Sequence, residues 1–490
     1  MIPEQGNKSY DYYKKRSVTG VKWSALTELV SRLFQFLVTV VLARILSPAD
    51  FALITLSLIL IKFVQLILDF GLTSALIQIP EIQPDDYRSS FTLLLALSGL
   101  FCGAIYFNPG FFARLIGEVK ISGLIQYLTL IIPLNAFSII PRVILMRHLE
   151  FKKISIVETI SVIGYTGLTC IFAVLFRNVW CFVIGALGEQ LLLTVVLILY
   201  SKWRPSFGFD WKRFKHLFTF STQVFFTRLS NFLNTNILNI LINKFFGGTV
   251  LGFFSLAYQI IDLPTQKIAK NIMKVMYPVL SQLQNRSEEY RELLLNYLFI
   301  ILIFSLPFFL LLFVFAHPFI TLVYGVKWLD SVPFLKILCI IGLVRTLWTA
   351  ISVVSMSLGR PQFELYLNLV FGIILIPGLF FLYPQGVTWI IVYFTIILSL
   401  CFFYGMYKIL NWQKISWHEL FNKLRLPIFS NLILFILIIS FQYLQIIDYQ
   451  HSSPAYSLLA AGFFGFLYVL IIYLLDRRMF RQLARLVFQF

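Results

Sequence analysis

The sequence predicts an all-α integral membrane protein of about fourteen transmembrane helices, and three observations carry that prediction. Hydrophobic residues make up 59% of the chain and charged residues 13%, with a mean hydropathy of +0.85, whereas soluble domains run at roughly half apolar and a quarter charged. Apolar runs of about twenty residues, long enough to cross a hydrocarbon core of roughly 30 Å as a helix, recur from Val18 to Phe464 and beyond. The lysines and arginines are sorted between alternate loops as a threaded chain requires.

In chain order, the first half gives spans at 18–43, 51–77, 89–108, 121–146, 154–176 and 179–200. The second half gives 217–242, 249–275, 294–316, 331–357, 362–382, 386–407, 426–446 and 455–475. The first seventeen residues end in Lys14, Lys15 and Arg16 and lead into the first span without a small-residue cleavage site, so that span reads as retained and not as a signal peptide. With the N-terminus cytoplasmic, the cytoplasmic segments hold 24 cations, and the opposite loops hold six, Arg44, Arg114, Lys120, Arg177, Lys244 and Lys327. That bias supports the helix count and places both termini in the cytoplasm. It also accounts for the net charge of +18 without a nucleic-acid partner.

Every connecting loop is short, the longest lying at 201–216 and 281–292. There is no room for a sizeable soluble domain, nor for the extended outer loops on which a membrane glycosyltransferase or polymerase would mount catalytic residues. His148, His216, His317, His418 and His451 are scattered over loops on different faces, so the chain is read as no enzyme. Cys102, Cys170, Cys181, Cys339 and Cys401 sit in or beside apolar segments without ligand spacing and read as small hydrophobes. No metal or cofactor is implied.

A weak internal repeat lies roughly 200 residues apart. Trp23-Ser24 answers Phe220-Ser221, and the stretch from Leu42 to Leu46 followed by Pro48 to Leu53 answers Ile242 to Gly248 followed by Val250 to Phe254. Six helices per copy is an even number, so the two copies enter the membrane in the same direction, a plan used by alternating-access transporters. The expected organisation is a cytoplasmic segment 1–17, an N-lobe 18–200 and a loop 201–216. A C-lobe 217–407, two additional helices in 408–475 and a basic tail 476–490 complete it. The two lobes are expected to enclose a central cavity.

Ten cations fall within or at the edges of the spans: Lys22, Arg32, Lys62, Arg142, Arg228, Lys267, Lys270, Lys274, Lys336 and Arg345. Each costs at least a few kcal/mol in lipid unless it faces water or a partner, so their number argues for a wet, cationic cavity. Glu28 and Arg32 share one helix face, as do Lys62 and Asp69; both sets read either as structural ion pairs tying the first two helices or as gating groups. Arg228, Asn231, Thr235 and Asn239 form a stripe too polar to face lipid, suited to sugar hydroxyls or to interhelical hydrogen bonding. Lys270, Lys274, Arg142 and Arg147 read as snorkelling toward cytoplasmic headgroups. The guanidinium and ammonium groups of Arg32, Lys62, Arg228 and Arg345 suit phosphate oxygens, and Glu28, Asp69 and Asp262 could hold protons or sodium. Pro133, Pro141, Pro264, Pro307 and Pro377 are expected to interrupt helices.

The run from Leu42 to Leu53, followed by Leu68-Asp69-Phe70-Gly71-Leu72-Thr73-Ser74-Ala75-Leu76-Ile77-Gln78, resembles the opening of bacterial polysaccharide exporters. These are the O-antigen and exopolysaccharide flippases of the multidrug, oligosaccharidyl-lipid and polysaccharide exporter superfamily. Arg147-His148-Leu149-Glu150-Phe151-Lys152-Lys153 also looks like that branch, and the helix count and repeat extend the resemblance over the whole chain. The resemblance implies a V-shaped pair of six-helix lobes with two extra C-terminal helices. It implies a multi-pass protein of the bacterial cytoplasmic (inner) membrane that carries an oligosaccharide on undecaprenyl diphosphate from the cytoplasmic to the outer leaflet. Its partners would be the lipid-linked oligosaccharide, membrane lipids, a coupling proton or sodium ion, and polymerase and export machinery. The family has no strict catalytic motif, so no site residue is carried over. The alternatives are a multidrug or organic-cation antiporter of the same architecture, which would favour an acidic or aromatic lining, and a membrane glycosyltransferase or polymerase.

Overall fold

The computed structural model describes residues 27, 30–78, 82–148, 150–284, 286–444, 453–475 and 477, and every regular element among them is helical. The chain divides into two compact units, Met1–Gly248 and Thr249–Phe490.

In the first unit, α1 covers residues 30–45 and α2 spans Pro48–Asp69. Ser47 and Asp50 set the start of α2 by a reciprocal capping box: the Asp50 carboxylate accepts the Ser47 N–H at 2.9 Å and the Asp50 N–H donates to Ser47 Oγ at 3.3 Å. The single span predicted at 51–77 is broken. Phe70 turns left-handed (φ 38°), Gly71 follows at φ 78°, and a seven-residue helix, α3, resumes at Leu72–Gln78. Next come α4 (Pro84–Phe107), α5 (Pro109–Ile116), α6 (Ser122–Leu128), α7 (Ile131–Arg147), α8 (Phe151–Phe176), α9 (Trp180–Ser201) and α10 (Trp211–Phe246). Helices α8 and α9 approach closely because each offers glycine to the other: a Cβ at Gly164 would run into Leu192, one at Gly188 into Leu168, and one at Gly185 into Thr169. Helix α7 packs on α4 and α9, and α10 packs on α2, α3 and α4.

The second unit contains α11 (Gly248–Gln282), α12 (Ser287–Val314), α13 (Ala316–Val323), α14 (Val332–Ser357), α15 (Pro361–Leu382), α16 (Val387–Trp412), α17 (Trp417–Tyr443) and α18 (Pro454–Leu475). Its core runs along α12 and α14 through Leu294, Ile301, Ile351 and Val354 and is closed by α16, α17 and α18. Polar groups in this core find partners: Tyr290 Oη lies 2.6 Å from Ser357 Oγ, and Tyr297 Oη lies 3.1 Å from Thr349 Oγ1. Pro307 lacks the N–H that would bond the Ile303 carbonyl. The Tyr468 hydroxyl, arriving from α18, donates to that carbonyl at 2.9 Å.

Ten helices among the described residues are long and apolar enough to cross a membrane, and the Val119–Leu128 and Ile131–Arg147 pair, bent by 42°, would be an eleventh span. These eleven coincide with predicted spans. The other three, 18–43, 217–242 and 249–275, fall on α1, whose predicted start lies outside the described residues, and on α10 and α11, which are long but more polar. The expected proline interruptions do not occur at Pro141, Pro307 or Pro377, through which α7, α12 and α15 continue. Pro133 occupies the first turn of α7, where no N–H is needed, and the side chain of Pro264 lies outside the described residues. The span predicted at 121–146 does break at Thr129-Leu130, just before Pro133, with a bend of 42°, and a further break comes at Phe70-Gly71.

The internal repeat runs deeper than the sequence suggested. In the first unit α4 is followed by α5, a glycine at φ 86° (Gly117), a 3-10 turn at Val119–Ile121 and α6. In the second, α12 is followed by α13, a glycine at φ 104° (Gly325), a 3-10 turn at Val326–Ser331 and α14. Both helices α5 and α13 are eight residues long.

Candidate functional site

Three helices of the first unit turn a polar stripe toward a common cavity of about 660 Å3. On α2 the stripe is Lys62, Gln65 and Asp69; on α7 it is Asn135, Ser138 and Arg142; on α10 it is Arg228, Asn231, Thr235 and Asn236. Steps of three and four residues put each set on one helix face, with Asn236 adjoining Thr235 at its edge. Thr73 of α3 and Gln190 of α9 complete the polar lining, and Leu66, Ile139, Leu193 and Phe232 supply its apolar part. The lining therefore carries three cations and one carboxylate, a net charge of +2, among hydroxyls and amides.

The charged groups are held by specific partners. The Arg228 guanidinium pairs through Nη1 with Asp69 Oδ2 and donates through Nη2 to Ser74 Oγ at 3.0 Å. Asp69 Oδ1 accepts the Thr73 N–H at 3.2 Å and the Thr73 hydroxyl, so the carboxylate also caps α3. Stacking of Phe70 on Phe225, with centroids 4.4 Å apart, fastens the same corner to α10. Arg142 Nη2 bonds Glu158 Oε1 at 2.9 Å. Lys62 is the charged neighbour of Glu189. Each cavity cation thus has a carboxylate of the same unit near it. Arg228 remains 41% exposed and Asp69 only 15%, so a ligand in the cavity meets the guanidinium more readily than its partner.

Of the residues singled out from sequence, the cavity brings together Lys62, Asp69, Arg228, Asn231 and Thr235. Asp69 reaches across to α10 rather than to Lys62 on its own helix. Asn239 is buried at 8% exposure and is absent from the lining. Arg32 donates to Gln35 Oε1 at 3.1 Å on its own helix. Arg345 and Asp262 belong to the second unit, where the Arg345 guanidinium lies 5.3 Å from the centre of the Tyr258 ring. Glu28 and Lys22 lie outside the described residues, as do the side chains of Lys267, Lys270 and Lys274.

Two arginines read as snorkelling have other roles. Arg142 lines the cavity, and Arg147 donates to the carbonyls of Leu76 and Ile77 at 2.9 and 3.1 Å, closing the C-terminal end of α3. Sequence reasoning missed Glu158, Glu189, Gln190 and Asn135. An acid-amide pair, Glu189-Gln190, inside an apolar run was the available signal.

Helices in this order, ten or eleven of them, among the described residues, long and apolar enough to cross a membrane, with a polar cavity inside the first unit, define a multi-pass membrane protein. The fold is similar to that of the lipid II flippase MurJ in an inward closed conformation, with a TM-score of 0.76 over 93% of this chain and 99% of that one at 15% identity. It is also similar to an inward-facing multidrug resistance MATE family transporter of the MOP superfamily, with a TM-score of 0.60 over 79% of this chain and 96% of that one at 16% identity. Residues 41–333, more than half of the chain, match the polysaccharide biosynthesis protein family, and the chain belongs to that family. It is 26% identical over 377 residues to the lipopolysaccharide biosynthesis protein WzxC of Escherichia coli (strain K12), covering 75% of each chain.

Proposed function

We propose that this protein is a flippase that moves an oligosaccharide linked to a polyprenyl diphosphate from the cytoplasmic to the outer leaflet of the inner membrane, supplying surface polysaccharide synthesis. The observation that carries the reading is the cavity of the first unit, where three cations with one carboxylate stand among amides and hydroxyls. Guanidinium forks match phosphate oxygens two at a time, and the amides of Gln65, Asn135, Gln190, Asn231 and Asn236 are donors and acceptors suited to sugar hydroxyls. The lining itself holds more cations than carboxylates, whereas an organic cation favours an acidic or aromatic lining, which speaks against the antiporter alternative.

In this reading the protein is a transporter and not an enzyme, both termini are cytoplasmic, and the two halves of the repeat act as lobes in alternating access. The carboxylates beside the cavity cations, Asp69, Glu158 and Glu189, are the groups through which a proton or sodium gradient would couple. The decisive experiment deletes the gene and identifies the lipid-linked intermediate that accumulates on the inner leaflet. A diphosphate-linked oligosaccharide is expected; unchanged lipid-linked pools with normal surface glycan would refute the reading.

A further inference from the structure

A cavity inside a membrane protein meets phospholipid headgroups far more often than it meets a scarce glycan carrier. Both are lipid phosphates, and a bare guanidinium would bind either. Arg228 is not bare: Asp69 holds one of its terminal nitrogens and Ser74 the other. The competitor is also fixed in place, since Thr73 bonds Asp69 Oδ1 through its N–H and hydroxyl, and the Phe70–Phe225 stack anchors the adjoining residue to α10.

We infer that Asp69 is a specificity-determining residue, an internal counter-anion on Arg228 that keeps singly charged phosphodiester lipids out of the cavity and yields only to a diphosphate. The inference rests on the flippase reading of the same cavity. A phosphodiester that replaces the Asp69 carboxylate exchanges one negative charge for another and gains nothing electrostatically. It also gives up its own freedom of motion, which the tethered carboxylate has already lost. A diphosphate diester brings a second negative charge and a second set of oxygens, and Lys62 and Arg142, which line the same cavity while keeping Glu189 and Glu158 as neighbours, add further donors to it. Lys62 lies seven residues before Asp69, roughly 10 Å along α2, within reach of a flexible lysine. The filter therefore counts charges: one phosphate fails to displace the carboxylate and two succeed.

The test uses the full purified chain in detergent and two probes, dioctanoyl phosphatidylglycerol as the phosphodiester and a short-chain prenyl diphospho-N-acetylglucosamine as the diphosphate. Wild type is expected to favour the diphosphate probe by at least about tenfold, the equivalent of one further charge-assisted contact. Asp69→Asn is expected to bind phosphatidylglycerol about tenfold more tightly while its affinity for the diphosphate changes less, so that the preference collapses. Asp69→Glu, which restores the charge, should recover part of it. If Asp69→Asn fails to fold, Thr73→Val, which removes the hydroxyl that steadies Asp69, should shift the preference in the same direction by a smaller factor. A wild-type preference that persists unchanged in the folded variants overturns this inference and leaves the flippase reading intact. If wild type binds no diphosphate, the cationic-cavity reading fails first and this inference falls with it.

Discussion

The two units share a repeat but dispose of their polar groups in opposite ways. In the first, α8 and α9 bury less than a third of their membrane-length windows, and Arg142, Arg228 and Lys62 stand at a cavity with carboxylates beside them. In the second, α12 and α14 bury more than half, and the tyrosines Tyr290, Tyr297 and Tyr468 spend their hydroxyls on neighbouring helices. The short helices make the same point. Helix α13 is covered by α18, with Phe315 against Phe464 at 6.2 Å, whereas around α5 the side chains of Phe107, Phe111 and Leu115 are exposed. The difference lies in particular helices and not in whole units, because α2 of the first unit buries half of its window while α15, α17 and α18 of the second bury less than a third. The pair α17 and α18 belongs to the second unit, where both helices lie against α12.

If that contrast is functional, substitutions in the first unit should affect transport and those in the second should affect stability. The largest effect is expected for Arg228→Ala, which should lower surface-glycan export by about tenfold or more, since each tenfold needs only 1.36 kcal/mol, with membrane abundance unchanged on an immunoblot. Arg32→Ala should do less, since Arg32 bonds along its own helix and lies outside the cavity lining. In the second unit, Gly342→Ala places a methyl group 2.5 Å from the buried Phe309 ring, and overpacking of this kind costs about 1–3 kcal/mol, read as a lower unfolding midpoint in detergent. Tyr468→Phe removes the donor to Ile303 and the acceptor for Asn431 and should cost about 1–1.5 kcal/mol, with transport kinetics preserved in the folded fraction. The smallest change is expected for Arg88→Ala. Its pair with Asp85 is about half exposed on both sides, so the unfolding midpoint should hardly move, a shift worth less than about 0.5 kcal/mol. Unimpaired export by Arg228→Ala together with lost export by a folded Tyr468→Phe protein would reverse the division of labour.

The helix positions were legible because the hydrocarbon thickness dictates length and apolarity, and eleven predicted spans coincide with helices that meet both conditions. The polar face of α10 could be read from its periodicity. What stayed hidden was pairing across the sequence. Asp69 and Arg228 are 159 residues apart and Arg147 is 71 from Leu76, and no local pattern announces either contact. The same blindness turned Arg142 into a headgroup anchor, because its partner Glu158 sits on the next helix. The break at Phe70-Gly71 was obscured by strong hydropathy on both sides, although a glycine following an aspartate inside an apolar run was its trace.

The bond from Tyr468 to the Ile303 carbonyl bears on how the chain is made. Helix α12 leaves the ribosome with one carbonyl that Pro307 cannot serve, and its partner is synthesised 165 residues later. Until α18 inserts, that carbonyl must find a passing water or a transient neighbour within the bilayer. The last helix of the described residues therefore completes one of the earlier ones, and a nascent chain halted after α16 would carry an unfinished span into the membrane.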